Sequence, residues 1–213
     1  MSHGSTPVVF VVDSDPFVRE SLELLVRAAG WRAETFASGQ EFLARPRSFV
    51  PSCLVLDVTL PDLDGLELQE RIASERADMP IIFLTGNADI AMVVRAMKRG
   101  AVEFLTKPFD AAALLIGIQQ AIKRSEAALG RENQLHTLRT DYGSLTQRER
   151  EVMTLVVSGL LNKQVGGELG ISEITVKAHR GNVMRKMKAD SFANLINMAA
   201  RLRITRPMAM SAA

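Results

Sequence analysis

The chain has 213 residues, 47% of them apolar, and a formal net charge of +2. That length suits two domains of roughly 100 residues each, and the apolar fraction is ample for buried cores. The single cysteine, Cys53, excludes a disulfide within one chain, and the longest apolar runs, Val8–Val12 and Ala111–Ile116, are too short to span a bilayer. The start, "MSHGSTP", carries no leader pattern, so the chain reads as cytoplasmic with no membrane partner.

Residues 1–124 alternate strand and helix. Val8–Val12 is a continuous β-branched run, as a buried parallel strand should be. Asp15 and Pro16 then fit an N-cap and first helical residue, with a helix running to Ala29 and stopping at Gly30. Arg32–Phe36 alternates as a second strand, and Gly39–Arg45 is a short helix. Cys53–Leu56 is a third strand, Leu66–Glu75 has helical spacing, and Ile81–Leu84 is a fourth strand. Ile90–Arg99 is a helix closed by Gly100, Val102–Leu105 a fifth strand, and a last helix begins near Asp110. Five strands with five helices predict an α/β fold, a doubly wound five-stranded parallel sheet.

In such sheets the site lies at the carboxyl ends of the strands. That rule selects Asp13, Asp57, Thr85 and Lys107, after strands one, three, four and five. Acidic oxygens suit a hard divalent cation such as Mg2+. A carboxylate can accept a phosphoryl group as an acyl phosphate, and a lysine can neutralise the transferred oxygens. Taken singly, each residue is equally a turn residue, a cap or a solvated charge; four at consecutive strand ends form a site. A hydrolase would need a second aspartate near Asp57 as acid/base, and "DVT" lacks it, so the chain reads as no enzyme.

Residues 125–143 read as a linker, at least partly helical. Leu115, Ile118, Ile122, Leu129 and Leu135 repeat at helical spacing, with a bend or break expected at Gly130. Residues 144–208 form four short helical pieces, and 209–213 a tail, with fraying expected from Arg206 onwards. Thr146 with Glu149 fits a capping box, and Gly159 ends that helix. Asn162 caps the next, which stops at Gly170. Ser172 caps a basic helix from Glu173 to about Met187, with Ile174, Val183 and Met187 packed inward. A fourth helix, capped by Asp190 or Ser191, runs to Leu202. Its apolar face (Leu195, Met198, Ala199) is either a dimer contact or plain core.

Charge separates the halves: residues 1–124 carry net −3 and residues 144–213 net +6. Two short helices, a tight Gly turn and a basic helix are the parts of a helix-turn-helix reader of double-stranded DNA. The candidate DNA-binding residues are Thr175, Lys177, His179, Arg180, Asn182 and Lys186. Lys177, Arg180 and Gly181 fall on one face, so base reading is expected of Lys177 and Arg180, with Thr175 and His179 meeting phosphates or the domain's own backbone.

The stretches "VVDSDPFVRESL", "CLVLDVTLPDLDGLEL", "IIFLTGNADI" and "AVEFLTKPFD" resemble the receiver domain of two-component response regulators. The segment "LTQREREVMTLVVSGLLNKQVGGELGISEITVKAHRGNVMRKM" resembles the LuxR/NarL-type helix-turn-helix. Together they are similar to the FixJ branch, which includes the StyR and TodT regulators of aromatic degradation. The resemblance implies that Asp57 accepts a phosphoryl group from a sensor histidine kinase. It implies a Mg2+ site on Asp13, Asp57 and the backbone carbonyl of Thr59. It implies that Thr85 draws towards the phosphoryl group, that Phe104 is an aromatic switch, and that Lys107 pairs with the phosphoryl oxygens. Ile90–Arg99 with Val102–Leu105 would form the face of a homodimer that binds promoter DNA, as an activator working with RNA polymerase.

One departure stands out. The family has two adjacent acids after the first strand, and this sequence reads Asp13-Ser14-Asp15. Ser14 occupies the position of a direct metal ligand and brings no charge. Asp15 either compensates through a shift of the turn or is only the N-cap of the first helix. The departure opens an alternative: a receiver with weak metal binding whose DNA binding is largely independent of phosphorylation.

Overall fold

The computed structural model describes residues 6–86 and 89–204; the tail from Arg206 lies outside them. The chain divides into two units, residues 1–130 and 131–213.

In the first unit the chain runs β1 (Val8–Val12), α1 (Pro16–Ala28), β2 (Arg32–Phe36), α2 (Gly39–Ala44), β3 (Ser52–Leu56) and α3 (Gly65–Glu75). It continues with β4 (Ile81–Thr85), α4 (Ile90–Lys98), β5 (Glu103–Thr106) and the start of α5 (Ala111–Gly143). The sheet is parallel throughout, in the order β2-β1-β3-β4-β5. Successive strand residues face opposite sides, which splits the core in two. Phe10, Leu54, Leu56 and Phe83 point to the side covered by α2, α3 and α4. Val9, Val11, Cys53, Val55 and Leu84 point to the side covered by α1 and α5. Because both faces are buried, β1 and β3 read as unbroken apolar runs. Cys53 is fully buried, and burial pushes its thiol pKa well up.

The sequence reading placed the fifth strand one residue early, and the helix after it runs further than expected. Residues 111–143 are helical, so Gly130 breaks nothing. Glycine costs a helix only about 1 kcal/mol relative to alanine. Leu129 and Leu138, one on each side of it, are both buried and outweigh that cost.

In the second unit the end of α5 is followed by α6 (Gln147–Val157), α7 (Asn162–Leu169), α8 (Glu173–Lys186) and α9 (Phe192–Leu202). The capping box of Thr146 and Glu149 opens α6, Ser172 caps α8, and Ser191 rather than Asp190 caps α9. Asn162 is not a cap: it is the first residue of α7, and Gln164 Oε1 instead accepts from the Leu161 amide at 2.8 Å. Gly170 ends α7 in a left-handed conformation (φ 65°). A Cβ on Gly166 would lie 2.7 Å from the Ile171 carbonyl oxygen, so the α7–α8 turn packs on bare glycine. Ile174 does not pack inward but is 80% exposed; Val176, Val183 and Met187 fill the core instead. Leu195 and Ala199 of α9 are core residues, packed with Leu145, Met153 and Val183, and Met198 lies half-buried against that cluster.

Glu149 fastens the second unit. Its Oε2 accepts from the Thr146 amide at 2.8 Å and from Lys186 Nζ at 2.6 Å, and the residue is almost fully buried. Burial raises its pKa, but the hydrogen bonds from Lys186 and Thr146 outweigh burial and hold it below 4.5. A depressed folded-state pKa contributes stability that is present above the unfolded value and lost as pH falls through the folded one. Glu149→Ala should therefore cost the second unit about 2 kcal/mol at neutral pH. The gap between variant and native chain should narrow below pH 4.5. Urea unfolding at several pH values measures both, and a pH-independent gap would deny the charge its role.

Candidate functional site

The carboxyl ends of β1, β3, β4 and β5 lie side by side, and backbone ladder bonds extend one residue past them. The Asp57 amide donates to the Val12 carbonyl at 2.9 Å, and the Lys107 amide to the Thr85 carbonyl at 2.7 Å. These bonds bring Asp13, Asp57, Thr85 and Lys107 to one edge, as the sequence pattern predicts. Lys107 Nζ donates to Asp13 Oδ2 at 2.6 Å and to Asp57 Oδ2 at 2.7 Å. The second oxygen of each carboxylate braces its own loop: Asp13 Oδ1 accepts from the Asp15 amide at 2.9 Å, and Asp57 Oδ1 from the Thr59 amide at 3.0 Å. Arg19 adds a bond from its guanidinium to the Asp13 carbonyl at 2.6 Å, which the sequence reading did not foresee.

Asp13, Asp57 and Thr85 are buried, and Lys107 keeps a fifth of its side chain exposed. Desolvation alone would lower the Lys107 pKa; the hydrogen bonds that the ammonium donates to Asp13 and Asp57 win and raise it above the ordinary lysine value. The lysine is therefore a fixed positive charge at neutral pH. Two carboxylates meet the Lys107 ammonium here, and the Arg19 guanidinium lies against the Asp13 carbonyl.

Asp15 is the N-cap of α1: its Oδ1 accepts from the Phe17 amide at 2.9 Å. Ser14 is exposed. Among the described residues no group of three or more His, Cys, Asp or Glu side chains is placed to hold a metal. A cation here would draw on Asp13, Asp57 and a main-chain carbonyl. The residues fit such an ion in kind, since all these donors are oxygens and one oxygen of each carboxylate already contacts a single cation.

Phe104, on β5, is half-buried, with its ring centroid 5.7 Å from that of Phe83. Gly65, at the start of α3, is a site residue that only the three-dimensional packing exposes. A Cβ there would lie 2.7 Å from the Asp57 carbonyl oxygen and 2.8 Å from Val58 Cα. The glycine eight positions after the aspartate was visible in the sequence, but not the close approach that requires it.

In the second unit α8 carries the candidate DNA residues unequally. Lys177 is exposed and pairs loosely with Glu173 at 3.1 Å. Thr175 is exposed, with its amide and hydroxyl turned to Ser172. His179 and Asn182 are half-buried, and Asn182 Oδ1 accepts from Arg185 at 3.2 Å. Arg180 does not share the outer face with Lys177: its guanidinium stacks 4.6 Å above the Phe192 ring and reaches Asn162. Lys186 is taken up by Glu149. The exposed residues of α8 are Glu173, Ile174, Thr175, Lys177, Ala178, Gly181 and Arg185, and of these Ile174, Lys177, Ala178, Gly181 and Arg185 share one face. Of that face the sequence reading counted only Lys177 among the candidate DNA-binding residues, and it placed Ile174 inward.

A five-stranded parallel sheet with two acids and a lysine at one edge, followed in the chain by a helix-turn-helix, is the architecture of a response regulator. Residues 9–119 match the response regulator receiver domain family, and residues 143–199 the bacterial regulatory proteins of the luxR family. Nodulation protein W of Bradyrhizobium diazoefficiens is 46% identical over 93% of this chain and 87% of its own length. Response regulator protein TmoT of Ectopseudomonas mendocina is 42% identical over 92% of this chain and 89% of its own. The structure of response regulator StyR is similar at a TM-score of 0.80, with 46% identity, covering 92% of this chain and all of that one. Full-length FixJ from B. japonicum is similar at 0.55, with 37% identity, covering 95% and 100%. The chain belongs to the two-component response regulators with a LuxR-type DNA-binding domain, in the FixJ/StyR/TodT branch, and is a transcription regulator rather than an enzyme.

Proposed function

We propose that this regulator takes a phosphoryl group on Asp57 from a sensor histidine kinase in the cytoplasm, dimerises and activates transcription at a promoter. The observation that carries the reading is Lys107 Nζ bridging Asp13 and Asp57 at the sheet edge. In the transfer an Asp57 oxygen attacks phosphorus, the new P–O bond forms as the P–N bond to the kinase histidine breaks, and the imidazole leaves with its electron pair. Lys107 then turns from the Asp57 carboxylate to the phosphoryl oxygens, and the Thr85 hydroxyl draws in beside them. Phe104 follows into the space that Thr85 leaves. Mg2+ would be held by Asp13, Asp57 and the Thr59 carbonyl, and when bound it offsets the charge gathered on the phosphoryl group.

The dimer face proposed is α4 with β5. On α4, Ile90, Val94 and Met97 are exposed at helical spacing. The second unit then reads major-groove edges with α8, Lys177 first among its side chains, and meets RNA polymerase. Thr175, His179 and Asn182 flank that face and would meet phosphates, while Arg180 stacks on Phe192 and Lys186 pairs with Glu149. A gel shift on promoter DNA with and without acetyl phosphate tests the reading: tighter binding after treatment supports it, and no binding in either state overturns it.

Ser14 favours a second reading, in which metal is weakly held and DNA binding does not wait for phosphate. Ser14→Asp should then tighten Mg2+ severalfold in a calorimetric titration, because it returns a charged oxygen beside Asp13. Unchanged affinity would show that the pocket does not need it.

A further inference from the structure

The outer face of α8 carries an apolar side chain that the reading above leaves unused. Ile174 is the second residue of the helix and is 80% exposed. Exposed apolar residues are common on protein surfaces and mean little alone. The position of this one gives it meaning. Residues three, four, seven and eleven apart share a helix face, which aligns Ile174 with Lys177, Ala178, Gly181 and Arg185. All five are exposed, while Val176, Val183 and Met187 fill the opposite side. Ala178 and Gly181 are short and let the helix backbone come close to whatever it meets. Lys177 and Arg185 make that surface cationic, and Ile174 is the one bulky apolar group in it.

In a helix-turn-helix the N-terminal residues of the second helix meet the base edges. The major groove offers one apolar group, the 5-methyl of thymine. We propose that Ile174 packs on a thymine methyl group and is a specificity-determining residue of the operator contact. The β-branched side chain is stiff, so the contact selects position as well as chemistry. The inference rests on the DNA-binding reading of α8 and adds to it the base that is chosen.

The test begins by selecting sites from a random duplex pool with the full chain treated with acetyl phosphate and magnesium. Each thymine of the selected site is then replaced in turn by deoxyuridine, which lacks the methyl group. At one or more positions the native chain should lose roughly fourfold in affinity, the value of one buried methyl group. Ile174→Ala should bind thymine and deoxyuridine alike at those positions, while Leu24→Ala, an exposed apolar change on α1, keeps the discrimination. Circular dichroism checks that the Ile174 variant keeps its fold. If it loses as much as the native chain on deoxyuridine, or if no thymine is sensitive, the inference fails and the DNA reading stands. If no sequence is enriched at all, the DNA reading itself fails and takes the inference with it.

Discussion

Asp57→Asn is expected to leave the chain unable to take up a phosphoryl group. With acetyl phosphate and magnesium, intact mass should show one adduct on the native chain and none on the variant. Asparagine has nearly the shape of aspartate, so the loop bond from the Thr59 amide to the side-chain oxygen can survive. What is lost is the nucleophile, because an amide oxygen carries no charge and forms no acyl phosphate. Asp13 is the other carboxylate in the pocket, but it is deeper, at 2% exposed, and held by the Asp15 amide and Lys107. A persisting adduct on the variant would move the acceptor to Asp13 or elsewhere.

The second large effect is expected at Gly65. Alanine there would place its Cβ 2.7 Å from the Asp57 carbonyl oxygen and 2.8 Å from Val58 Cα, both of them main chain. Real atoms do not stand so close, and a backbone cannot swing aside as a flexible side chain can. Either α3 moves back from the sheet or the Asp57–Val58 segment shifts. Overpacking of this kind costs about 1–3 kcal/mol. The shift also disturbs the Lys107 distances, so phosphorylation by acetyl phosphate should slow at least tenfold even where the chain stays folded. Thermal unfolding and the rate of adduct formation report the two effects separately. Native stability and native rate in Gly65→Ala would mean that the approach at Gly65 relaxes freely.

The elements most legible in the sequence were those whose signals are local. Continuous apolar runs gave β1, β3 and β4, and the Thr146/Glu149 pair and the cap at Ser172 marked where α6 and α8 begin. The strand-end rule then gathered Asp13, Asp57, Thr85 and Lys107 without any knowledge of distance. Long-range partners were less legible. Lys186 counted as DNA charge because nothing local says that Glu149, 37 positions earlier, comes to lie beneath it. Arg180 looked like a groove residue because Phe192 lies in another helix. Ile174 was placed inward on hydrophobicity alone, although Val176, Val183 and Met187 already supply a complete inner stripe. Gly130 was weighted by its propensity, which buried neighbours outweigh.

Cys53 offers a use beyond packing. It is the one thiol of the chain, it lies in the middle of the sheet beside β1, and burial keeps it protonated. An alkylating reagent can reach it only when the strands part, since a thiolate must form and meet solvent. The labelling rate therefore clocks the opening of the first unit and ignores the second. A phosphoryl group that tightens the strand-end cluster would slow that clock, and a change confined to α8 would leave it running at the same pace. The molecule thus carries a built-in reporter that tells events at the sheet from events at the DNA.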